Sequence, residues 1–408
     1  MLDINFIREN IDLVRKGVSN KGYSVDGLDR LLEVDQKRRE LITKVDLLRQ
    51  QRNLAADKKD IEAGKKIKEE LSQIEPELEK LEKEFKNLLL QIPNIPSSNA
   101  PIGKDESENK VIKEGEKKKF NFTPKDHLEL GESLDIIDFE SAAKVAGSNF
   151  YYLKNEGAML EVALVHYGLD FLRNKGYTPV ITPDLAREKY YLGTGYLPKG
   201  PEAQIYQIAD SDLGLVATSE ITLAGMHADS ILDDLPKKYA GYSHCFRLEA
   251  GAYGKYSKGL YRVHQFTKVE MFAFVSPEDS EKTHQEFLSN EEEFFVSLGI
   301  PFRVLEMCTG DLGSQAVRKF DLEAWMPGRG EWGEVTSTSN TSDFQARNLN
   351  IKFKQGDKSG FVHTLNGTLV ATSRAIIAIL ENFQAEDGSV KIPEALQKYT
   401  GFSEIKPK

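Results

Sequence analysis

The chain has 408 residues, enough for two or three domains, and 40% of them are apolar, an ordinary share for a protein with one large core. Acids outnumber bases by 64 to 54, a net charge of −10, which argues against wholesale coating of nucleic acid while leaving room for a local basic patch. The two cysteines, Cys245 and Cys308, have no paired spacing, so neither a disulfide framework nor a zinc cluster is expected. The sequence has no HExxH, no GxxxxGK[ST] and no apolar run long enough to span a membrane.

The first residues mix acids and bases with Ile4, Ile7, Ile11 and Val14 at helical spacing, an amphipathic helix and not a secretory leader. A reducing, cytoplasmic setting is the expectation. From Leu28 the sequence turns highly charged and helical, with Leu31, Leu41, Val45, Leu48 and Ala55 along one seam. After a break near residues 60–64, Ile67, Leu71, Ile74, Leu78, Leu81, Phe85 and Leu88 alternate in steps of four and three. Two such helices fold back as an antiparallel hairpin, each arm ~45 Å long. Pro76 lies inside the second arm and is expected to kink it. Lys58, Lys59, Lys65 and Lys66 gather at the tip, with Arg49 and Arg52 just below. That cluster is either a place to touch phosphates or a solvated helical face.

Residues 91–101, QIPNIPSSNAP, read as a linker, and 104–119 as an exposed charged connector. The expected division is an N-terminal domain over 1–105 and a second over 106–408. Residues 127–153 predict a helix, an irregular piece and a strand, then a long helix over 159–175 ended by Gly176 and a strand over 177–182. Residues 192–199 read as a loop. Thr218-Ser219-Glu220 opens a helix, where Thr218 serves as a cap or faces a ligand.

Residues 242–274 predict two antiparallel strands joined through Gly251, Gly254 and Gly259. Arg247, Glu249, Arg262, His264, Lys268 and Glu270 lie on or beside these strands, where an unpaired charge would be costly. Arginines on rigid strands beside a pliable loop suit a triphosphate. Further on, Glu334 precedes a run of hydroxyls, which fits a hard cation or a plain polar edge strand. Residues 363–384 predict a strand, a tight turn at Asn366-Gly367 and an apolar helix from Ser373. Arg374 in that helix's first turn opposes the helix dipole, so an anion is expected beside it.

Arg247-Leu248-Glu249 followed by a glycine-rich loop and RVHQFTKVE (262–270) resembles motif 2 of the class II aminoacyl-tRNA synthetases, and of the seryl-tRNA synthetase family in particular. Helix–Gly176–strand–Pro183 is similar to motif 1, and NGT…SR (366–374) to motif 3, with Thr368 where many members have serine. The resemblance covers nearly the whole chain. It implies an α+β protein: an N-terminal antiparallel helical coiled-coil arm, then a class II catalytic domain with an antiparallel sheet flanked by helices. It further implies ATP-dependent attachment of L-serine to serine tRNA, and to selenocysteine tRNA, with ATP and Mg²⁺ as cofactors and a homodimer through motif 1. The arm would grip the tRNA, through Arg49, Arg52, Lys58, Lys59, Lys65 and Lys66.

By the same resemblance, ATP is held by Arg247, Leu248, Glu249, Arg262, Phe266, Glu334, Val335, Thr336, Ser337 and Arg374, and the metal by Glu334 and Ser337. Arg247, Glu249 and Arg374 are the catalytic set. Serine is bounded by Thr218, Ser219, Glu220, Glu270 and Thr368, with Glu270 on its ammonium. A ligase that passes a small amino acid to another acceptor, and a non-catalytic RNA-binding paralogue, are the competing readings. The first is expected to lack the arm, and the second to lack some of Arg247, Glu249, Glu334 and Arg374.

Overall fold

The computed structural model describes residues 1–196, 205–249 and 259–408. Gly251 and Gly254 of the glycine-rich link, and residues 197–199 of the loop read at 192–199, lie outside them. Residues 192–194 of that loop instead complete a helix, Glu188–Thr194, which Gly195 ends in the left-handed conformation. The chain separates into two compact units, Met1–Ile95 and Pro96–Lys408.

In the first unit two short helices, Ile4–Glu9 and Ile11–Asn20, precede α1 (Asp26–Asp57) and α2 (Ile61–Gln91). Leu2, Ile7, Val14 and Val18 bury against Leu28, Leu31, Leu89 and Ile92, so the root of the hairpin has its own small core. Further out, Val45, Leu48, Leu71 and Ile74 are buried as the heptad spacing requires. Ion pairs cross between the arms at Arg30–Glu84, Lys44–Glu70 and Arg49–Glu75. The reversal is tight: Lys59 takes φ +56°, and the Asp60 side chain caps α2 by accepting from the Ala63 amide. α2 runs through Pro76 without a break.

The second unit is built on an antiparallel sheet. In chain order its strands are β1 (Lys110–Glu114), β2 (Thr178–Ile181), β3 (Lys237–Phe246), β4 (Gln265–Val275), β5 (Phe302–Glu306), β6 (Arg318–Met326), β7 (Glu331–Asn340) and β8 (His363–Ala371). Among the described residues the spatial order is β1-β5-β6-β7-β8-β4-β3-β2, with β2 joining in parallel at one edge. From Thr267 onward every residue of β4 is buried, as expected of a strand covered on both faces. Helices α3 (Asn155–Asn174), α4 (Ser280–Ser297) and α5 (Thr372–Phe383) pack on the sheet through Leu160, Leu164, Phe287, Phe294, Ile376 and Leu380.

Two further expectations need correction. The connector at 104–119 supplies β1, an exposed edge strand that pairs with β5. Asn366-Gly367 is no turn: both lie inside the unbroken β8. Glycine is there for room, since a Cβ on Gly367 would come within 2.9 Å of Thr338 Oγ1 and 3.0 Å of the Phe287 ring.

Candidate active site

β3 and β4 pair in regular antiparallel register, Gln265 opposite Phe246 and Glu270 opposite Gly241. Two irregularities then shape the site. The β4–β8 register slips between Val269 and Glu270, so Glu270 faces Thr368 with Leu369 left as the extra residue. The β6–β7 register slips between Leu322 and Glu323, so Glu323 faces Glu334 with Val335 extra. A bulge re-aims the side chains around it, and both bulges adjoin a site carboxylate.

On one side lies a buried cluster of polar side chains. Glu270 Oε2 accepts from Thr218 Oγ1 at 2.5 Å, Ser219 Oγ at 2.8 Å and the Glu220 amide at 3.3 Å. Lys268 Nζ stands 2.9 Å from the same oxygen and 2.7 Å from Thr218 Oγ1. Both members of this ion pair are at most 5% exposed, so the charges are affordable only because they meet each other and two hydroxyls. Thr218 therefore turns its hydroxyl to Glu270. Ser219, not Thr218, stands at the N-terminus of the short helix Glu220–Met226, and its side chain caps nothing.

Glu220 is buried beside this pair. Its Oε1 accepts from Gln345 Nε2 at 2.6 Å and Asn366 Nδ2 at 2.8 Å, and its Oε2 from the Tyr196 hydroxyl at 3.0 Å. Burial, then the negative charge of Glu270, pushes the Glu220 carboxyl up to about 7.

Beside this cluster opens a cleft lined by Arg247, Glu249, Phe266, Lys268, Glu334, Val335, Thr336, Thr368 and Arg374. Lys268 belongs to both the cluster and the cleft wall, and Thr368, opposite Glu270 on β8, lines the cleft. Arg247 is anchored by Nε to the Ala217 carbonyl at 3.4 Å, one residue before Thr218, and its guanidinium carbon lies 5.2 Å from the Phe266 ring centre. Arg262 pairs with Glu249 at 3.0 Å. Arg374 pairs with Glu334 at 2.9 Å and lies 4.8 Å from the ring of Tyr261. Burial pulls the Arg374 guanidinium down, but Glu334 and Tyr261 more than offset it and the group is held above its ordinary value. Enclosure pushes the Glu334 carboxyl up, while Arg374 and Lys319 outweigh that and hold it below the usual range. The anion expected beside Arg374 is thus a carboxylate of the chain itself.

Ser337 is not among the residues that line the cleft. Its hydroxyl bonds Asp321, directly opposite on β6. Thr336 turns its hydroxyl to Glu291 of α4 at 3.1 Å. Leu248 is half-buried on the segment between Arg247 and Glu249. The six arm residues all lie exposed, although Arg49 is also the cross-arm partner of Glu75.

Sequence reasoning missed the residues that hold Glu220, namely Tyr196, Gln345 and Asn366, which lie 24, 125 and 146 residues from it. It also gave Lys268 no place beside Glu270. The available signal there was the KVE triplet, a lysine two residues before an acid on one buried strand.

Comparison with known proteins gives the same picture over the full length. Residues 1–96 match the seryl-tRNA synthetase N-terminal domain, and residues 205–383 match the tRNA synthetase class II core domain (G, H, P, S and T). The serine–tRNA ligase of Dictyoglomus turgidum is 53% identical, with all of both chains aligned. The crystal structure of seryl-tRNA synthetase from Pyrococcus horikoshii complexed with ATP superposes with a TM-score of 0.93 at 43% identity, covering 100% of both chains. Cytoplasmic serine–tRNA ligase from Naegleria fowleri in complex with AMP gives 0.89 at 35%, covering 100% of this chain and 99% of the other. The bulged strands, the buried Lys268–Glu270 pair and the arginine-lined cleft therefore belong to a chain of the seryl-tRNA synthetase family.

Proposed function

We propose that the chain is a serine–tRNA ligase that activates L-serine with ATP and transfers it to serine tRNA, with selenocysteine tRNA as a second acceptor. The observation that carries this is Lys268, which joins the buried Thr218–Glu270 cluster to the wall of a cleft lined by Arg247 and Arg374.

The chemistry asks for positioning and charge neutralisation and for no acid or base from the protein. The serine carboxylate oxygen attacks the α-phosphorus, the bond to the β-phosphate oxygen breaks, and pyrophosphate leaves. Arg247 takes the α-phosphate, and Arg262 and Arg374 the outer phosphates. Phe266 takes the adenine face and Glu249 its amine, with Leu248, Val335 and Thr336 completing the wall. Glu220 and Glu270 carry up to two negative charges against the one cation Lys268, and the ammonium of serine supplies the second. Thr218, Ser219 and Thr368 bound the side chain. An alanine would leave the buried polar partner of the serine hydroxyl unpaired, and a threonine is excluded by size.

Glu334, on the cleft wall and held ionised, offers Mg²⁺ a hard oxygen donor, and Ser337, which lies outside that lining, would join it only by leaving Asp321. Bound there, the ion would supply positive charge to the phosphates.

The arm, within an N-terminal domain over 1–105, binds the tRNA through its exposed tip, and the catalytic domain spans 106–408. A homodimer is supported by the apolar surface left open on α3 and on the edge strand β2, where Val162 is 60% and Ile181 79% exposed. No helix among the described residues is long and apolar enough to cross a membrane, and a cytoplasmic setting fits the two free cysteines. The test is charging of serine tRNA with labelled serine. Transfer of serine to a carrier protein with no tRNA charged would favour the other ligase reading.

A further inference from the structure

His127 is not among the residues that line the cleft, yet it is tied into a closed circuit that ends on Arg374. Its Nε2 accepts the Leu260 amide at 3.3 Å, so that nitrogen carries no proton and the hydrogen is on Nδ1, which faces Glu381 Oε1 at 3.3 Å. Glu381 Oε1 also accepts the His127 amide at 3.2 Å, and its Oε2 accepts the Gly328 amide at 2.9 Å. The two side chains are 4% and 0% exposed. A buried polar pair of this kind is costly unless each atom has a partner, and here each does. Gly259 has φ +65°, and a Cβ on it would lie 2.2 Å from His127 Nε2, so the imidazole abuts the backbone itself.

The short turn Gly259–Tyr261 is therefore held at its start by His127. At its end the Tyr261 carbonyl accepts Arg374 Nε at 3.4 Å, and the Tyr261 ring lies against the same guanidinium. Arg374 and Glu381 are two turns apart on α5, so the helix grips this turn twice.

We infer that His127 is a positioning residue for ATP, acting through Leu260 and Tyr261 to fix Arg374 and the segment with Arg262 that leads into β4. This rests on the assignment of the cleft to ATP. The serine pocket, built from Thr218, Ser219, Glu220 and Glu270, is outside the circuit.

The test is serine-dependent ATP–pyrophosphate exchange by the full chain, with ATP and serine titrated separately. His127→Phe keeps the ring's bulk and removes the acceptor, and His127→Gln keeps an acceptor near the Nε2 position. We expect His127→Phe to raise KM for ATP about fivefold to tenfold, the equivalent of one hydrogen bond, with KM for serine unchanged within about twofold. His127→Gln recovers most of the loss. The inference is overturned if His127→Phe leaves KM for ATP unchanged, if the ATP and serine constants rise together, or if the Gln variant is as defective as the Phe variant. Should His127→Phe not fold, His127→Gln alone decides: KM for ATP within about twofold of wild type supports the inference, and a tenfold rise ends it. Failure of the wild type to exchange would instead defeat the functional reading, and ATP binding by calorimetry to the same proteins then tests the His127 circuit directly.

Discussion

Arg374 Nη1 lies 2.9 Å from Glu334 Oε1 and 3.2 Å from the Glu334 carbonyl oxygen, joining the first turn of α5 to the bulged part of β7. The pair explains a cation at a helix N-terminus, where the dipole would repel it. It also places the proposed metal ligand and a proposed phosphate ligand in contact before any phosphate arrives.

Glu334→Gln removes the counter-charge of Arg374 and a hard metal donor together. We expect exchange activity at fixed ATP to need about tenfold more Mg²⁺, read as the half-saturating concentration. An unchanged Mg²⁺ dependence would remove Glu334 from the metal site.

Arg247 meets a carbonyl and an aromatic face, and its proposed role is to meet the charge that develops on the α-phosphate. Arg247→Ala is expected to slow adenylate formation by about 100-fold or more. Its melting temperature should remain within a few degrees of wild type. Near-normal exchange would deny it the role.

Replacing Lys58, Lys59, Lys65 and Lys66 with Gln is expected to weaken tRNA charging and flatten its salt dependence, because fewer phosphates are neutralised. Exchange, which needs no tRNA, should be unaffected. An equal fall in both would make the tip a folding element.

Glu220 gives a pH signature. Its carboxyl titrates near 7 in the folded chain against an ordinary 4.5, so the folded state holds its proton over a range where the unfolded state has lost it. Its contribution is fully present below about 4.5 and is lost as pH rises towards 7, at most about 3 kcal/mol. Glu220→Gln lacks this loss, so melting curves of the two proteins without serine should diverge in favour of the variant between pH 5 and 7. Parallel curves would contradict the shift.

The arm was legible because a heptad is local: Leu71 and Ile74 are buried at the spacing that predicted them. The strands of motif 2 were legible for the same reason, and their charges signalled a site because Lys268 and Glu270 are apolar-strand positions. What stayed hidden was non-local or silent. β1 is five exposed residues whose pattern has no buried face to reveal it. Gly367 reads as a turn until Thr338 and Phe287 are seen to crowd it. The partners of Glu220 come from three separate segments, and Glu334 as the answer to Arg374 lies 40 residues upstream, on a strand and not on the arginine's own helix.

The most direct test is ATP–pyrophosphate exchange by the unmodified chain with serine, alanine and threonine offered in turn. The account predicts exchange that depends on serine and falls at least about 100-fold with either analogue. Exchange without serine preference, or none with serine at all, would contradict it.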